Sequence, residues 1–139
     1  MSEPFVFYLT KQQLLGIHLR VVMATGGEHG VRDPSALSNC IYYPTTRVYG
    51  QDVFKTIFEK TAALMYGIVV WHPFIEANKR TAFIAAYDML SLNGYDYSPP
   101  AQNTASMLRD LAIRSADTDS PNTSEIKRLS GHLKAYSTG

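Results

Sequence analysis

Apolar positions recur at helical spacing along most of the chain, and polar or glycine-rich punctuation separates the runs. In "LTKQQLLGIHLRVVMATGG", Leu14, Ile17, Val21 and Met23–Ala24 form a loose apolar face. Thr10, with Gln13 three residues on, has the spacing of a capping box, and Gly26–Gly27 follow where a helix ends. Asp33-Pro34 predicts the start of a second helix, which runs to about Tyr43 and is stopped by Pro44. "TTRVYG", rich in β-branched and aromatic residues, predicts a short extended element. Asp52 is then expected to cap a long helix, "VFKTIFEKTAALMYGIVVW". The second half of that helix is apolar on every side, which predicts a central, buried position. A further helix is predicted from Asn78 to Asn93, with Phe83, Ala86, Tyr87 and Leu90 at helical spacing and Asn93-Gly94 closing it. "YDYSPP" reads as extended or turn, and Asn103 is expected to cap a helix bearing Leu108, Leu111 and Ala112. After the polar loop "SADTDSPNTS", a last helix carries Ile126, Leu129, Leu133 and Tyr136 as a stripe. No repeat or linker divides residues 1–139, so the expectation is a single all-α domain, a helical bundle with one short extended element before its central helix.

Composition narrows the classes without changing that picture. Hydrophobic residues make up 45% and charged residues 18%, which is globular rather than disordered. A net charge of +1, from 13 basic and 12 acidic residues, gives no basic excess for binding nucleic acid. The longest stretch without a formal charge, Thr61 to Ile75, is shorter than the roughly 20 residues that span a bilayer. The amino-terminal "MSEPFVFYLTK" has no basic region ahead of its apolar run, against a secretory signal. One cysteine, Cys40, permits no internal disulfide. The expectation is a cytoplasmic protein with no membrane and no direct nucleic-acid contact.

The chemistry concentrates in "WHPFIEANKRTAF", residues 71 to 83. Pro73 pushes His72 out of the α region and ends the apolar helix, and Asn78 is a preferred N-cap for the next. The unpaired N–H groups at a helix start carry partial positive charge and bind anions, and Lys79 and Arg80 add two cations there. Glu76 is an oxygen donor of the kind Mg²⁺ takes alongside substrate phosphates. His72, with an ordinary pKa of about 6.5, suits removal of a proton from an attacking hydroxyl near neutral pH. Taken singly, each residue has a structural explanation: a core histidine, a solvated Lys-Arg pair, a cap, a carboxylate near a helix dipole. In this order on one inter-helix turn, they outline a phosphate-transfer site.

HPFIEANKR strongly resembles the signature of the Fic/Doc (Fido) family, H-x-F-x-[DE]-[AG]-N-[GK]-R, and matches it at every defined position from His72 to Arg80. "GGEHGVRDPSAL", the Pro44 to Tyr49 segment, the long helix and "LSLNGYDY" resemble the Doc branch, so the likeness covers about residues 10 to 97. The resemblance implies the all-α Fic/Doc bundle with ATP and Mg²⁺ at the turn. It implies His72 as general base, Glu76 as Mg²⁺ ligand, and Asn78, Lys79 and Arg80 as the phosphate-holding positions. Thr45 to Tyr49 would be the flap that clamps a target protein in extended form. A small antitoxin, its carboxyl-terminal segment seated in a groove of the bundle, is the implied partner. The chain shows no S/T-x-x-x-E-[GN] inhibitory helix, so inhibition in trans is expected.

The family transfers either AMP or, in the Doc branch, a phosphate to a translation elongation factor. AMP-transferring members carry glycine where this chain has Lys79, and a second arginine where it has Phe83. Both departures agree with the Doc branch, whereas Pro73 and Glu76 look more like the AMP-transferring one. A Doc-like kinase toxin leads, with AMP transfer second. Two further readings are a hydrolase with His72 and Glu76 as metal ligands, and a non-catalytic scaffold. Arg32-Asp33 is expected to be a cap region, and His18 and His132 to be packing or surface residues.

Overall fold

A computed structural model describes residues 5–115 and 123–139, and it is the helical bundle that the apolar stripes predict. Six α-helices are found among the described residues: α1 (Lys11–Thr25), α2 (Pro34–Tyr42), α3 (Ile57–Trp71), α4 (Asn78–Leu92), α5 (Ala101–Arg114) and α6 (Thr123–Ala135). Four two-residue strands pair in two antiparallel ribbons, β1 (Arg47–Val48) with β2 (Gln51–Asp52), and β3 (Asp96–Tyr97) with β4 (Ser137–Thr138).

α3 is the axis. Every residue from Lys60 to Val69 is buried, as its all-round apolarity requires, and α2, α4 and α6 pack around it. Gly67 makes the tightest of these contacts possible. A Cβ there would lie 2.9 Å from Cζ3 of Trp71 and 3.2 Å from Sγ of Cys40, so only glycine lets the indole and α2 approach α3 so closely. α1 lies against α4 and contributes Leu14, Ile17 and Val21 to the common core.

Several helix ends follow their expected chemistry. Thr10 and Gln13 form the reciprocal capping box of α1, and Asp33 Oδ1 accepts from Ser35 N and Ala36 N at the start of α2. Other ends differ from expectation. α3 starts at Ile57, capped by Thr56, whose hydroxyl accepts from Glu59 N at 3.1 Å. Asp52 is instead in β2, because the buried ammonium of Lys60 claims its carboxylate at 3.1 Å together with the carbonyl of Phe54. α5 starts at Ala101 behind Pro100, whose fixed φ suits a helix entry, so Asn103 lies inside the helix and caps nothing. Tyr136 falls just past α6, where its carbonyl accepts from Ser98 N beside the β3–β4 ribbon. Of the polar loop expected over residues 115–124, residues 116–122 lie outside the described part. No helix among the described residues is long and apolar enough to cross a membrane.

Candidate active site at the turn between α3 and α4

The central helix ends where Pro73 requires. His72 adopts a left-handed conformation, φ 48° and ψ 63°, and the chain turns away from the helix axis. Phe74 then inserts into the core, fully buried, and its ring stacks on His18 of α1 at 3.8 Å with 5° between the planes. Asn78 closes the turn: its Oδ1 accepts from Phe74 N at 3.0 Å and its Nδ2 donates to Phe74 O at 2.9 Å. This corrects the expectation of a capping asparagine. Asn78 is the first residue of α4, and Ala77, left-handed at φ 67°, stands at the cap position without a side-chain acceptor. The amide side chain is spent on the turn's own backbone, and the exposed α4 amino terminus is left uncapped by any side chain.

The connector between α1 and α2 braces this turn along its length. Val31 and Phe74 form an antiparallel bridge, and Ile75 N donates to Gly30 O at 3.1 Å. Glu28 N donates to Glu76 Oε2 at 2.7 Å, holding an exposed carboxylate in place. The close approach depends on Gly27, where φ is 117° and a Cβ would stand 3.0 Å from that same oxygen. His18 completes the hold on Glu76 from beneath. Its Nε2–H donates to the Glu76 carbonyl at 3.0 Å, a contact that fixes which ring nitrogen carries the proton. Burial lowers the His18 pKa, against the opposing pull of that hydrogen bond.

Two cations follow. Arg80 donates from Nη1 to the Thr25 hydroxyl and to the Gly26 carbonyl, which ties it to the end of α1. Lys79 is exposed. Lys79 and Arg80 also stand on a groove of about 620 Å³ between α1, α4 and α5, floored by Ile17, Phe83 and Leu108. His72, Glu76 and Asn78 are not among the residues that line that groove. His72 is exposed, and its pKa is lowered, first by desolvation and then by the positive charges of Arg32 and Lys79. Both effects favour the neutral imidazole, the form whose ring nitrogen can accept a proton.

Among the described residues no three His, Cys, Asp or Glu side chains gather as a metal cage. A single exposed carboxylate next to a cationic helix start fits Mg²⁺ carried on phosphates, which keeps most of its own waters. It does not fit a protein-caged zinc site. His72 and Glu76 also fail to share a helix face, since both lie in the turn outside α3 and α4.

Arg32 and His18 are the residues that sequence reasoning undervalued. Arg32 Nε donates to His72 O at 2.6 Å and Nη2 to Trp71 O at 2.7 Å. A cap region was expected there, but for α2 rather than for the end of α3. His18 sits on the apolar stripe of α1, which was signal enough for burial and none for its partner.

A helical bundle with an imidazole and a carboxylate on one inter-helix turn and two cations at the start of the next helix defines a class, and sequence comparison agrees with it. A profile of the Fic/DOC family matches residues 8–90. Toxin Doc of Mycolicibacterium smegmatis is 32% identical over 119 residues, 84% of this chain and 88% of that protein. The chain belongs to the Fic/DOC family.

Proposed function

We propose that this chain is a Doc-like toxin that transfers the γ-phosphate of Mg-ATP to a hydroxyl side chain of a target protein. The observation that supports a kinase over an AMP transferase is the pair Lys79 and Phe83 on the groove wall. Phe83 offers no charge to a phosphate, and a lysine at position 79 fills space that a glycine would leave open. In the proposed step a ring nitrogen of His72 accepts the hydroxyl proton. The hydroxyl oxygen forms a bond to the γ-phosphorus, the bond from that phosphorus to the bridging oxygen breaks, and ADP leaves with the electron pair. Glu76 would hold Mg²⁺, which supplies charge neutralisation on the phosphates. Lys79, Arg80 and the backbone N–H groups at the α4 start would hold the phosphate oxygens. For Asn78 this assigns the main chain, because its side chain is committed to Phe74.

The β1–β2 hairpin is the proposed flap. Its turn residues Tyr49 and Gly50 both have positive φ, 52° and 75°, which suits a tight two-residue hairpin, and Tyr49 is fully exposed at the tip. The name of the mycobacterial relative, together with the apolar groove rimmed by Arg20, Lys79 and Arg80, supports regulation by a small antitoxin with an acidic amphipathic segment. A translation elongation factor is the proposed target, on the family resemblance. ATP labelled at the α or the γ position, offered with a cell lysate, tests the reaction. Label reaching protein from the γ position only is expected, and transfer from the α position would establish AMP transfer instead.

A further inference from the structure

We propose that Arg32 is a positioning residue for His72: it closes the carboxyl end of α3 so that the imidazole is presented from one fixed left-handed turn. The proposal rests on His72 being the base assigned above. Three successive carbonyls converge on this one residue. The guanidinium takes Trp71 O at 2.7 Å and His72 O at 2.6 Å, and the Arg32 backbone N–H takes Pro73 O at 2.8 Å. The last carbonyls of a helix have no donors within it, and its negative end attracts a cation, so a guanidinium is well matched to this place.

The grip has work to do. His72 is neither glycine nor asparagine, yet it sits at φ 48°, a conformation that a residue with a Cβ disfavours by about 1 kcal/mol. Its ring direction follows from that backbone. A rigid planar fork can span two carbonyls at once, whereas a lysine ammonium holds one point. The same charge also acts on the ring. Burial contributes most to keeping the imidazole neutral, and the charged groups facing it are Arg32 from the connector and Lys79 from α4. Arg32 therefore holds the backbone from which the base is presented and, after burial, adds its charge to the lowering of the His72 pKa.

Two variants separate this role from a merely structural cap. Arg32→Met removes fork and charge, and Arg32→Lys keeps the charge alone. The readouts are the His72 titration midpoint, followed by NMR in the intact protein without nucleotide, and the steady-state constants for γ-phosphate transfer. In Arg32→Met the midpoint is expected to rise towards about 6.5. kcat is expected to fall on the order of 10- to 100-fold, as for a reacting group displaced by about 1 Å, with KM for ATP little changed. In Arg32→Lys the midpoint returns towards wild type while kcat recovers only in part. An unmoved midpoint in Arg32→Met, or a loss confined to KM, overturns the proposal. Should Arg32→Met not fold, Arg32→Lys decides: full wild-type kcat contradicts the need for the fork. A wild-type protein that transfers no phosphate would remove the assigned reaction, yet the titration would still show whether Arg32 governs His72.

Discussion

Glu76 is held at two points, its carboxylate by Glu28 N–H and its carbonyl by the His18 ring, while that ring lies flat on Phe74. Each hold makes its own prediction. His18→Phe keeps an aromatic face for Phe74 but deletes the donor to Glu76. It should leave the melting temperature nearly unchanged and raise the Mg²⁺ concentration for half-maximal activity about 10-fold, the scale on which outer partners tune a metal ligand. His18→Gln, which can still donate, should restore much of the difference. An unaltered Mg²⁺ dependence in His18→Phe would show that the contact has no bearing on the carboxylate. Gly27→Ala places a methyl group 3.0 Å from Glu76 Oε2 at a φ of 117°, so it should cost activity more than it costs stability, read by label transfer beside a thermal melt. At this scale the sequence was uneven. His72 through Arg80 could be picked out because nine contiguous letters carry them. Arg32 and His18 act across 40 and 58 residues of chain, and no local pattern announces such partners.

Among the elements, the β1–β2 hairpin depends on an ionic anchor beneath it. Asp52 pairs with Arg47 at 3.3 Å and with buried Lys60 at 3.1 Å, and Lys60 also reaches the Phe54 carbonyl. The Lys60 hydrogen bond is the main cause of a lowered Asp52 pKa. A carboxylate lowered on folding contributes stability above its unfolded value of about 4, and that contribution fades as pH falls through the folded value. Lys60→Met should therefore loosen the hairpin without melting α3. Hydrogen exchange would show this as lost protection at Val53 N, which bonds to Thr46 O at 2.9 Å, with α3 amides still protected. Equal protection at Val53 in both proteins would refute the anchor. The same ion pair explains why Asp52, which reads as a helix cap in the sequence, does not cap α3. Its spacing suits a cap, but a buried lysine eight residues later has the stronger claim. Thr10, Asp33 and the Gly26 end of α1 were legible because their partners lie within one helical turn.

For the whole molecule, the all-α architecture and the central place of α3 followed from stripe width and all-round apolarity. The β3–β4 ribbon, which joins Asp96–Tyr97 to Ser137–Thr138, did not, since two-residue strands carry no periodicity. Stability against pH should carry a histidine signature. His18, His72 and His132 all have lowered pKa values, with burial the first cause of each. In that case the unfolded chain binds protons that the folded chain refuses. Stability is full above the unfolded histidine value of about 6.5 and is lost as pH falls from there through the folded values. Melting temperatures recorded from pH 7.5 to 5 should drop across this window, and a flat profile would contradict a neutral folded state of these rings. The central claim is that the turn between α3 and α4 uses His72 to move a phosphate. The most direct measurement is the mass of a modified target protein after incubation with Mg-ATP and either the wild-type chain or His72→Ala. The account predicts the mass of one phosphate on a hydroxyl side chain with wild type, and a rate at least about 100-fold lower with the variant. An added AMP mass, or equal modification by both proteins, would contradict it.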